Sequence, residues 1–184
     1  MKTYPRLTTD RLILRGFEQG DAPLIQILAG NYEIAKMTLN IPHPYEKGMA
    51  ESWINTHQTD YDAGGGVIFA ITKGSNQELM GAIGLVINQR FNRAELGYWI
   101  GKPHWGRGYA TEAASELLRY GFQDLKLNKI HATHMTRNPA SGRVMQKIGM
   151  ESEGLLKQHA LKWDQFVDMA AYGILAETWH LNND

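Results

Sequence analysis

Two glycines between an apolar stretch and a helix are the residues of this sequence best placed to bind a ligand. Gly106 and Gly108 lie in the segment Leu96–Ala114, where a predicted strand runs into a turn and a helix begins with small residues on its buried face. Glycine lets the backbone turn tightly and approach a ligand, and the first helical turn has N–H groups without intrahelical partners. An anion, most naturally a phosphate, fits this arrangement, and Arg107 can add a charge-assisted hydrogen bond. Two glycines alone also fit an ordinary strand-to-helix turn.

The spacing of these glycines matches neither of two common nucleotide-binding motifs. A P-loop ends in Gly-Lys-Ser or Gly-Lys-Thr, which the chain does not contain. A Rossmann fingerprint needs glycine or alanine where Thr111 stands. It also needs an acidic residue about twenty positions further on, where the chain has Lys129, Ile130 and His131. Both comparisons disfavour a nucleotide fold of these two kinds.

A second predicted strand also ends at the start of a helix. Asn138 is a favourable N-cap, Pro139 suits the first helical position, and Gly149 suits the C-terminal end. Ser141 then lies in the first turn of this helix. If the two strands are adjacent and parallel, their carboxyl ends form a crevice that can hold a cofactor.

Metal and thiol chemistry find little support in the sequence. The chain has no cysteine, which excludes disulfides, thiolate zinc sites, iron–sulfur clusters and a cysteine nucleophile. His131 and His134 lie on one predicted strand at odd spacing, so they point to opposite faces and cannot bind one metal together. We therefore expect no metal site.

Composition indicates a globular protein without a strongly charged surface. The chain has 184 residues, of which 43% are hydrophobic, and 19 Lys and Arg balance 19 Asp and Glu. A neutral chain argues against nucleic acid as a partner, although it leaves room for a local anion site. The longest apolar stretch, Met169–Ala176, is far shorter than the ~20 residues that span a membrane. The N-terminus lacks the apolar segment of a signal peptide, so we expect a cytoplasmic protein.

The hydrophobic pattern predicts an α/β domain that positions these junctions. The sheet is expected to be antiparallel on one side, with a parallel crossover on the other. Strands are predicted at 11–15, 67–73, 79–88, 94–101, 129–135, 150–156 and 166–176, and helices at 21–28, 47–61, 109–122 and 139–148.

These residues together resemble the GNAT superfamily of acetyl-CoA-dependent N-acetyltransferases. The superfamily signature is Arg or Gln, two residues, Gly, one residue, then Gly or Ala; the chain matches it at Gly108 and Ala110 and departs at Trp105. The strings TDRLILR, WGRGYATEA, NPAS and KIGM resemble the branch that contains the ribosomal-protein N-terminal alanine acetyltransferases. The resemblance covers about residues 8–177 and implies one GNAT domain there. It also implies a twisted, mostly antiparallel sheet of about six to seven strands, helices on both faces, and a splayed crevice between the fourth and fifth strands.

The resemblance also implies where acetyl-CoA binds. Backbone amides from Gly106 to Ala110 would hold the pyrophosphate, and the main chain of Trp99–Gly101 would pair with the pantetheine arm. Asn138 and Ser141 would approach that arm from the next strand. The expected cofactor-binding residues are Trp99, Ile100, Gly101, Gly106, Arg107, Gly108, Tyr109, Ala110, Asn138 and Ser141.

Transfer of acetyl to an amine needs a base for the amine and an acid for the leaving thiolate. Glu95 is the predicted base, because it lies on the strand that leads to the glycine loop; the alternative is a structural ion pair with Arg90 or Arg93. Without cysteine, direct transfer is favoured over a cysteine acyl-enzyme. The backbone N–H near Trp99 or Ile100 is the predicted donor to the oxyanion.

The predicted acid is Ser141. Many relatives have a tyrosine four residues before the closing glycine, where this chain has Met145. The alternative is that Ser141 only touches the cofactor. Tyr98 is a weaker candidate for the acid, since a tyrosine on an apolar strand is more often a core aromatic.

The acceptor side is less defined by the sequence. His43 and Tyr45 lie in a proline-containing loop that borders the acceptor pocket in this superfamily, and they are the predicted substrate residues; a rigid turn is the alternative. The expected acceptor is a primary amine, namely a protein N-terminus. A small amine such as an amino acid, polyamine or antibiotic is the enzymatic alternative, and a non-catalytic acyl-CoA-binding module is the other. Homodimerisation stays open.

Overall fold

Eight strands form one sheet in the computed structural model, which describes residues 1–183. They are β1 (Leu7–Thr8), β2 (Leu12–Arg15), β3 (Gly66–Lys73), β4 (Leu79–Asn88), β5 (Arg93–Ile100), β6 (Lys129–Met135), β7 (Glu151–Lys162) and β8 (Gln165–Leu175). Their order across the sheet is β1-β2-β3-β4-β5-β6-β8-β7. Only β5 and β6 are parallel neighbours within the described chain, as the crossover pattern predicts. The sheet therefore has one strand more than the expected six or seven. The additional strand is β1, whose two residues are too few to form a recognisable sequence pattern.

Six α-helices cover the two faces of the sheet in the described residues. They are α1 (Ala22–Ala29), α2 (Tyr32–Ala35), α3 (Met49–Ala63), α4 (Tyr109–Arg119), α5 (Pro139–Lys147) and α6 (Ala176–Asn183). The predicted helix 109–122 is confirmed, but its last turn widens into a π-helical turn at Tyr120–Asp124. No helix within residues 1–183 is long and apolar enough to cross a membrane.

Two hydrophobic clusters hold the helices on the sheet. The larger cluster joins α4 to one face through fully buried side chains such as Phe69, Leu85 and Leu117. The smaller cluster joins α1 and α3 to the other face around Ala70 and Ile54. Because successive strand residues point to opposite faces, β3 and β4 supply apolar side chains to both clusters.

The parallel strands β5 and β6 pair over a short distance and then separate. Their last paired residues are Glu95 and His131, although β5 continues to Ile100 and β6 to Met135. The separation leaves the carboxyl ends of both strands without each other's hydrogen bonds, so a crevice opens between them. α4 begins after β5 and α5 begins after β6, so both helix N-termini lie at this end of the sheet.

The buried His57 on α3 makes the stability of the folded protein depend on pH. The ring packs between Phe17 and Trp53, and neither ring nitrogen has a hydrogen-bond partner. Burial lowers the pKa of His57 from 6.5 to about 4, although nearby Asp60 opposes the shift. The unfolded chain therefore binds this proton more tightly than the folded protein, and stability is lost as the pH falls from 6.5 towards 4.

A His57→Phe variant should remove this part of the pH dependence. Phenylalanine keeps the aromatic packing but has no nitrogen to protonate, so the melting temperature should fall less between pH 7 and about pH 4.5 than in the wild type. Calorimetric melting curves measure this difference. The exposed His159→Gln variant serves as the control, and an equal fall in wild type and His57→Phe would contradict the assignment.

Candidate active site

The loop before α4 has the backbone geometry that its glycines predict. Gly106 and Gly108 have φ angles of 73° and 79°, in the left-handed region that favours glycine. Gly108 is the N-cap of α4 and supplies no side-chain cap, so the first N–H groups of the helix have no capping partner from it. No atom lies within 4 Å of where a Cβ on Gly106 would be, so this side of the loop is open to a ligand.

Arg11 braces this loop from the turn between β1 and β2, a contact that the sequence did not predict. Its guanidinium donates to the carbonyl oxygen of Arg107 at 3.1 Å and to the carboxylate of Glu112 at 2.6 Å. Thr9 donates a further hydrogen bond to Glu112 at 2.6 Å. Burial alone would raise the pKa of Glu112, but the hydrogen bonds from Thr9 and Arg11 outweigh it and lower the pKa. Glu112 is therefore ionised, and Arg11 neutralises its charge beside the N-terminus of α4.

An Arg11→Ala variant should weaken acetyl-CoA binding about tenfold. It leaves the negative charge of Glu112 uncompensated at the helix end that would receive phosphate, where a charge is worth up to about 1–2 kcal/mol. Titration calorimetry measures the change. The double variant Arg11→Ala/Glu112→Gln removes the charge and should recover most of the affinity. If the double variant binds as weakly as Arg11→Ala, the effect comes from loop geometry and not from charge.

The hydrogen-bond ladder of β5 determines which backbone groups face the crevice. The N–H of Gly101 donates to the carbonyl of Met80 on β4 at 2.8 Å. Since hydrogen-bonded and non-hydrogen-bonded positions alternate along an antiparallel pair, Trp99 also faces β4, whereas Tyr98 and Ile100 face the gap. Ile100 is thus the better placed of the two predicted amide donors.

Trp105, which replaces the polar residue of the signature, has a structural role. Its indole N–H donates to the carbonyl oxygen of Ile100 at 2.6 Å. The side chain is 44% exposed, so it covers the end of β5 and does not enter the core. A tryptophan therefore fixes the start of the glycine loop against β5, and the loop keeps its left-handed glycines without the usual Arg or Gln.

Ser141 is hydrogen-bonded across the crevice. The hydroxyl of Tyr98 on β5 lies 2.8 Å from Oγ of Ser141 on α5, and it also donates to the Ser141 carbonyl at 3.1 Å. Burial raises the pKa of Tyr98 to about 12, and the hydrogen bond with Ser141 opposes the shift. Tyr98 is therefore a neutral phenol at physiological pH. Its ring is half-buried against the core, as expected, but its hydroxyl lies in the crevice beside Ser141.

The N-cap of α5 also matches the prediction. Oδ1 of Asn138 accepts from the N–H of Ser141 at 3.3 Å, and Nδ2 donates to the carbonyl of Met37 at 3.1 Å. Both ends of this side chain are thus engaged, one in the helix and one in the loop after α2. Met145, at the position where relatives carry a tyrosine, is buried in the core and offers no proton donor.

Glu95 lies on the opposite face of β5 from Tyr98, since side chains alternate along a strand. It is exposed and accepts a hydrogen bond from Oγ1 of Thr133 on β6 at 3.2 Å. The expected alternative partners Arg90 and Arg93 form no ion pair with it among residues 1–183. Glu95 and His131 line one surface depression of about 480 Å³. Burial lowers the pKa of His131, and the charge of Glu95 opposes this shift.

His43 and Tyr45 have different surroundings. His43 is exposed, its Nδ1 lies 3.1 Å from the carbonyl oxygen of Gly30, and its ring meets the rings of Tyr32 and Trp163. Trp163 is 41% exposed and stacks on Tyr32. Tyr45 is half-buried against the smaller cluster, where burial and the charge of Glu51 raise its pKa.

The two histidines of β6 point to opposite faces, as their spacing predicts. His134 is buried against Tyr172, whereas His131 lies beside Glu95 on the other face. No group of three or more His, Cys, Asp or Glu able to hold a metal occurs in the described part of the chain.

Comparisons with known proteins agree with this architecture. A family model for an acetyltransferase (GNAT) domain matches residues 11–151. YoaA, an uncharacterized N-acetyltransferase of Bacillus subtilis (strain 168), is 35% identical over 173 residues, which are 94% of this chain and 97% of the relative. The ribosomal protein uS5-alanine N-acetyltransferase of Escherichia coli (strain K12) is 27% identical over 180 residues, covering 95% of this chain and 92% of that protein.

Solved structures have the same fold. A GNAT-family acetyltransferase from Bacillus anthracis has a TM-score of 0.84 and 26% identity, covering 94% of this chain and 99% of that one. The spermidine N-acetyltransferase from Vibrio cholerae in complex with CoA and spermine has a TM-score of 0.80 and 24% identity, covering 94% of this chain and 99% of that one. The predicted mixed α/β fold is thus confirmed, and the chain belongs to the GNAT acetyltransferase family.

Proposed function

We propose that the protein transfers the acetyl group of acetyl-CoA directly to a primary amine, the α-amine of a protein N-terminus. The separation of β5 from β6 beyond Glu95 and His131 carries this proposal. It brings unpaired backbone groups, an open glycine loop and two helix N-termini to one end of the sheet. We further propose that one catalytic domain covers residues 8–177, since the sheet is continuous from β1 to β8.

The residues around the crevice fit acetyl-CoA. The uncapped first turn of α4 and the open side of Gly106 suit a pyrophosphate. The carbonyl of Ile100 already accepts from Trp105, so the gap-facing N–H and C=O of Tyr98 are the groups of β5 that suit the amides of a pantetheine arm. Bound there, acetyl-CoA supplies the thioester carbonyl that the amine attacks.

On the acceptor side, we assign Glu95 to remove a proton from the amine. An amine is largely protonated near neutral pH and must lose a proton before or during attack. The carboxylate of Glu95 is exposed and forms no ion pair among the described residues, so it remains available to an amine or to a bridging water. Its only described hydrogen bond comes from Thr133, which holds it beside β6.

On the cofactor side, we assign the N–H of Ile100 to the developing oxyanion and Ser141 to the leaving sulfur. Ile100 faces the gap by the alternation of the β5 ladder. The Ser141 hydroxyl can give its proton to the thiolate. The neutral phenol of Tyr98, 2.8 Å from Oγ of Ser141, can turn its single O–H from the Ser141 carbonyl to Oγ and replace that proton, and the resulting phenolate regains a proton from water. Because Glu95 and Tyr98 project from opposite faces of β5, removal and delivery of protons use separate groups.

Two similar proteins and the loop 37–45 support the choice of acceptor. The relative that acetylates the alanine of ribosomal protein uS5 favours an N-terminal α-amine. The spermidine N-acetyltransferase of the same fold supports a small amine as the alternative. We assign His43 and Tyr45 to the acceptor side, where the loop 37–45 is tied to Asn138 at the crevice. The other alternative is a non-catalytic acyl-CoA-binding module. It is kept because Met145 replaces the usual tyrosine and Trp105 replaces the Arg or Gln of the signature.

Release of CoA thiol from acetyl-CoA, measured with a panel of N-terminal peptides and small amines, distinguishes these functions. N-terminal transfer predicts faster release with peptides than with amino acids, polyamines or aminoglycosides. Faster release with a small amine would support the second function. Binding of acetyl-CoA without thiol release on any acceptor, and without an effect of Glu95→Gln, would support the binding module.

A further inference from the structure

Three separate segments converge at the carboxyl end of the crevice. The loop 37–45 is tied to the end of β6 through Asn138 and Met37, and to the end of β7 through Lys162. The N–H of Thr136 donates to the carbonyl of Asp168 at 3.0 Å, which holds the turn after β6 against β8. The loop assigned to the acceptor is therefore fixed between β6 and the β7–β8 hairpin.

Lys162 is a buried cation in this junction. The residue is 5% exposed, and its Nζ donates to the carbonyls of Leu39 at 3.1 Å and Ile41 at 2.7 Å. These partners are neutral, so they satisfy hydrogen bonds without balancing the charge. Burial and the positive charge of Arg137 both lower the pKa of Lys162. No ion pair of Lys162 occurs in residues 1–183.

Arg137 is the exposed cation next to this buried one. It directly follows β6, and its described hydrogen bond goes to the sulfur of Met135 at 3.3 Å. The nearby carboxylate of Asp168 accepts from the N–H of Gln158 at 2.7 Å and forms no ion pair with Arg137 within the described chain. An exposed guanidinium and a buried ammonium that form no ion pair within the described residues are a local positive charge in a protein that is neutral overall.

We propose that Arg137, supported by the positive charge of Lys162, binds a carboxylate of the acceptor, so that the preferred acceptor is a peptide with an acidic side chain close to its N-terminal amine. This inference rests on the proposed acetyl transfer to an N-terminus. A guanidinium can hold a carboxylate through two parallel hydrogen bonds. The same two cations repel ammonium groups, which disfavours polyamines such as spermidine.

The test compares acceptor peptides that differ by one charge. Peptides with Asp or Glu at the second or third position are compared with their Asn or Gln counterparts, for wild type, Arg137→Gln and the exposed control Arg90→Gln. We expect wild type and Arg90→Gln to prefer the acidic peptides about three- to fivefold in kcat/KM, the range of one exposed charge pair. Arg137→Gln should lose this preference, whereas Arg90→Gln should keep the wild-type rate on the neutral peptides.

Salt and a free amino acid provide two further arms. The preference should shrink as sodium chloride is raised to about 0.5 M, because screening weakens an exposed charge pair. Free glutamate is also tested as an acceptor, to find out whether the bound carboxylate has to belong to a peptide. Equal rates with glutamate and with the acidic peptides would mean that the site binds a small acid and not a peptide.

Two outcomes would overturn the inference. Equal kcat/KM for acidic and neutral peptides in wild type would contradict the carboxylate site while leaving N-terminal transfer intact. An acidic preference that survives in Arg137→Gln would assign it to another residue. Absence of thiol release on every peptide would instead contradict the proposed function itself.

Discussion

A Gly108→Asp variant is expected to bind acetyl-CoA at least thirtyfold more weakly than the wild type. The φ angle of 79° at Gly108 is unfavourable for a side chain, at roughly 1–2 kcal/mol. The new carboxylate would also lie at the N-cap of α4, where the proposed pyrophosphate binds, and it would repel the phosphates. Together these effects amount to about 2 kcal/mol or more, which is about thirtyfold in the dissociation constant. Titration calorimetry with acetyl-CoA measures it.

The matched control separates charge from shape. Asn has nearly the shape of Asp and the same backbone strain in the left-handed region, so Gly108→Asn should lose only the part of the affinity that comes from strain, and the difference between the two variants measures the charge repulsion. Gly20→Asp, at an exposed position with no atom near the added Cβ, should bind normally. Unchanged affinity in Gly108→Asp would contradict the assignment of this loop to the phosphates.

Ser141→Ala and Tyr98→Phe are expected to lower kcat about 10²-fold and about tenfold, respectively, in line with the loss of an acid catalyst and of its hydrogen-bond partner. Both variants leave the glycine loop intact, so the KM for acetyl-CoA should change little. Because the two hydroxyls are 2.8 Å apart, the effects should not add in the double variant. Steady-state kinetics of the two single variants and the double variant measure this coupling.

Tyr172→Phe is the matched control for this pair. Tyr172 is a half-buried tyrosine of β8 whose hydroxyl accepts from Gln146 at 3.4 Å and forms no hydrogen bond with Ser141 among the described residues. The control should keep kcat near the wild-type value. Additive losses from Ser141→Ala and Tyr98→Phe would mean that Tyr98 does not act through Ser141, and an unchanged kcat in Ser141→Ala would remove the serine from the chemistry.

The sequence predicted the fold where side-chain patterns are strong. β4 and β6 begin and end where alternation and flanking turns predict, and α5 lies between its Asn138 cap and Gly149. β7 was predicted to end near residue 156 but continues to Lys162. Apart from Ala160 and the terminal Lys162, its residues are exposed on both faces, so no apolar alternation marks its second half. α6 was not predicted, since it has little amphipathic character.

The candidate site was predicted where it depends on local backbone chemistry. Glycines before a helix and an Asn-Pro step are local signals, and the structure has them in the expected conformations. The contacts of Arg11 with Glu112 and of Lys162 with Leu39 join residues 101 and 123 positions apart. Such pairs depend on how strands are ordered in the sheet, which one sequence does not reveal. The sequence held one local sign of the Arg11 contact. Glu112 lies in the first turn of a helix predicted to bind an anion, so a cation was needed nearby to balance its charge.

The most direct test of direct acetyl transfer measures two products in one reaction. Purified protein is incubated with acetyl-CoA and the best N-terminal peptide, and free CoA thiol and acetylated peptide are quantified at the same time points. Direct transfer predicts equal amounts of both products, no acetyl group on the protein by intact mass, and loss of both products in Gly108→Asp. Tight binding of acetyl-CoA with neither product, on this peptide and on every small amine, would contradict the account.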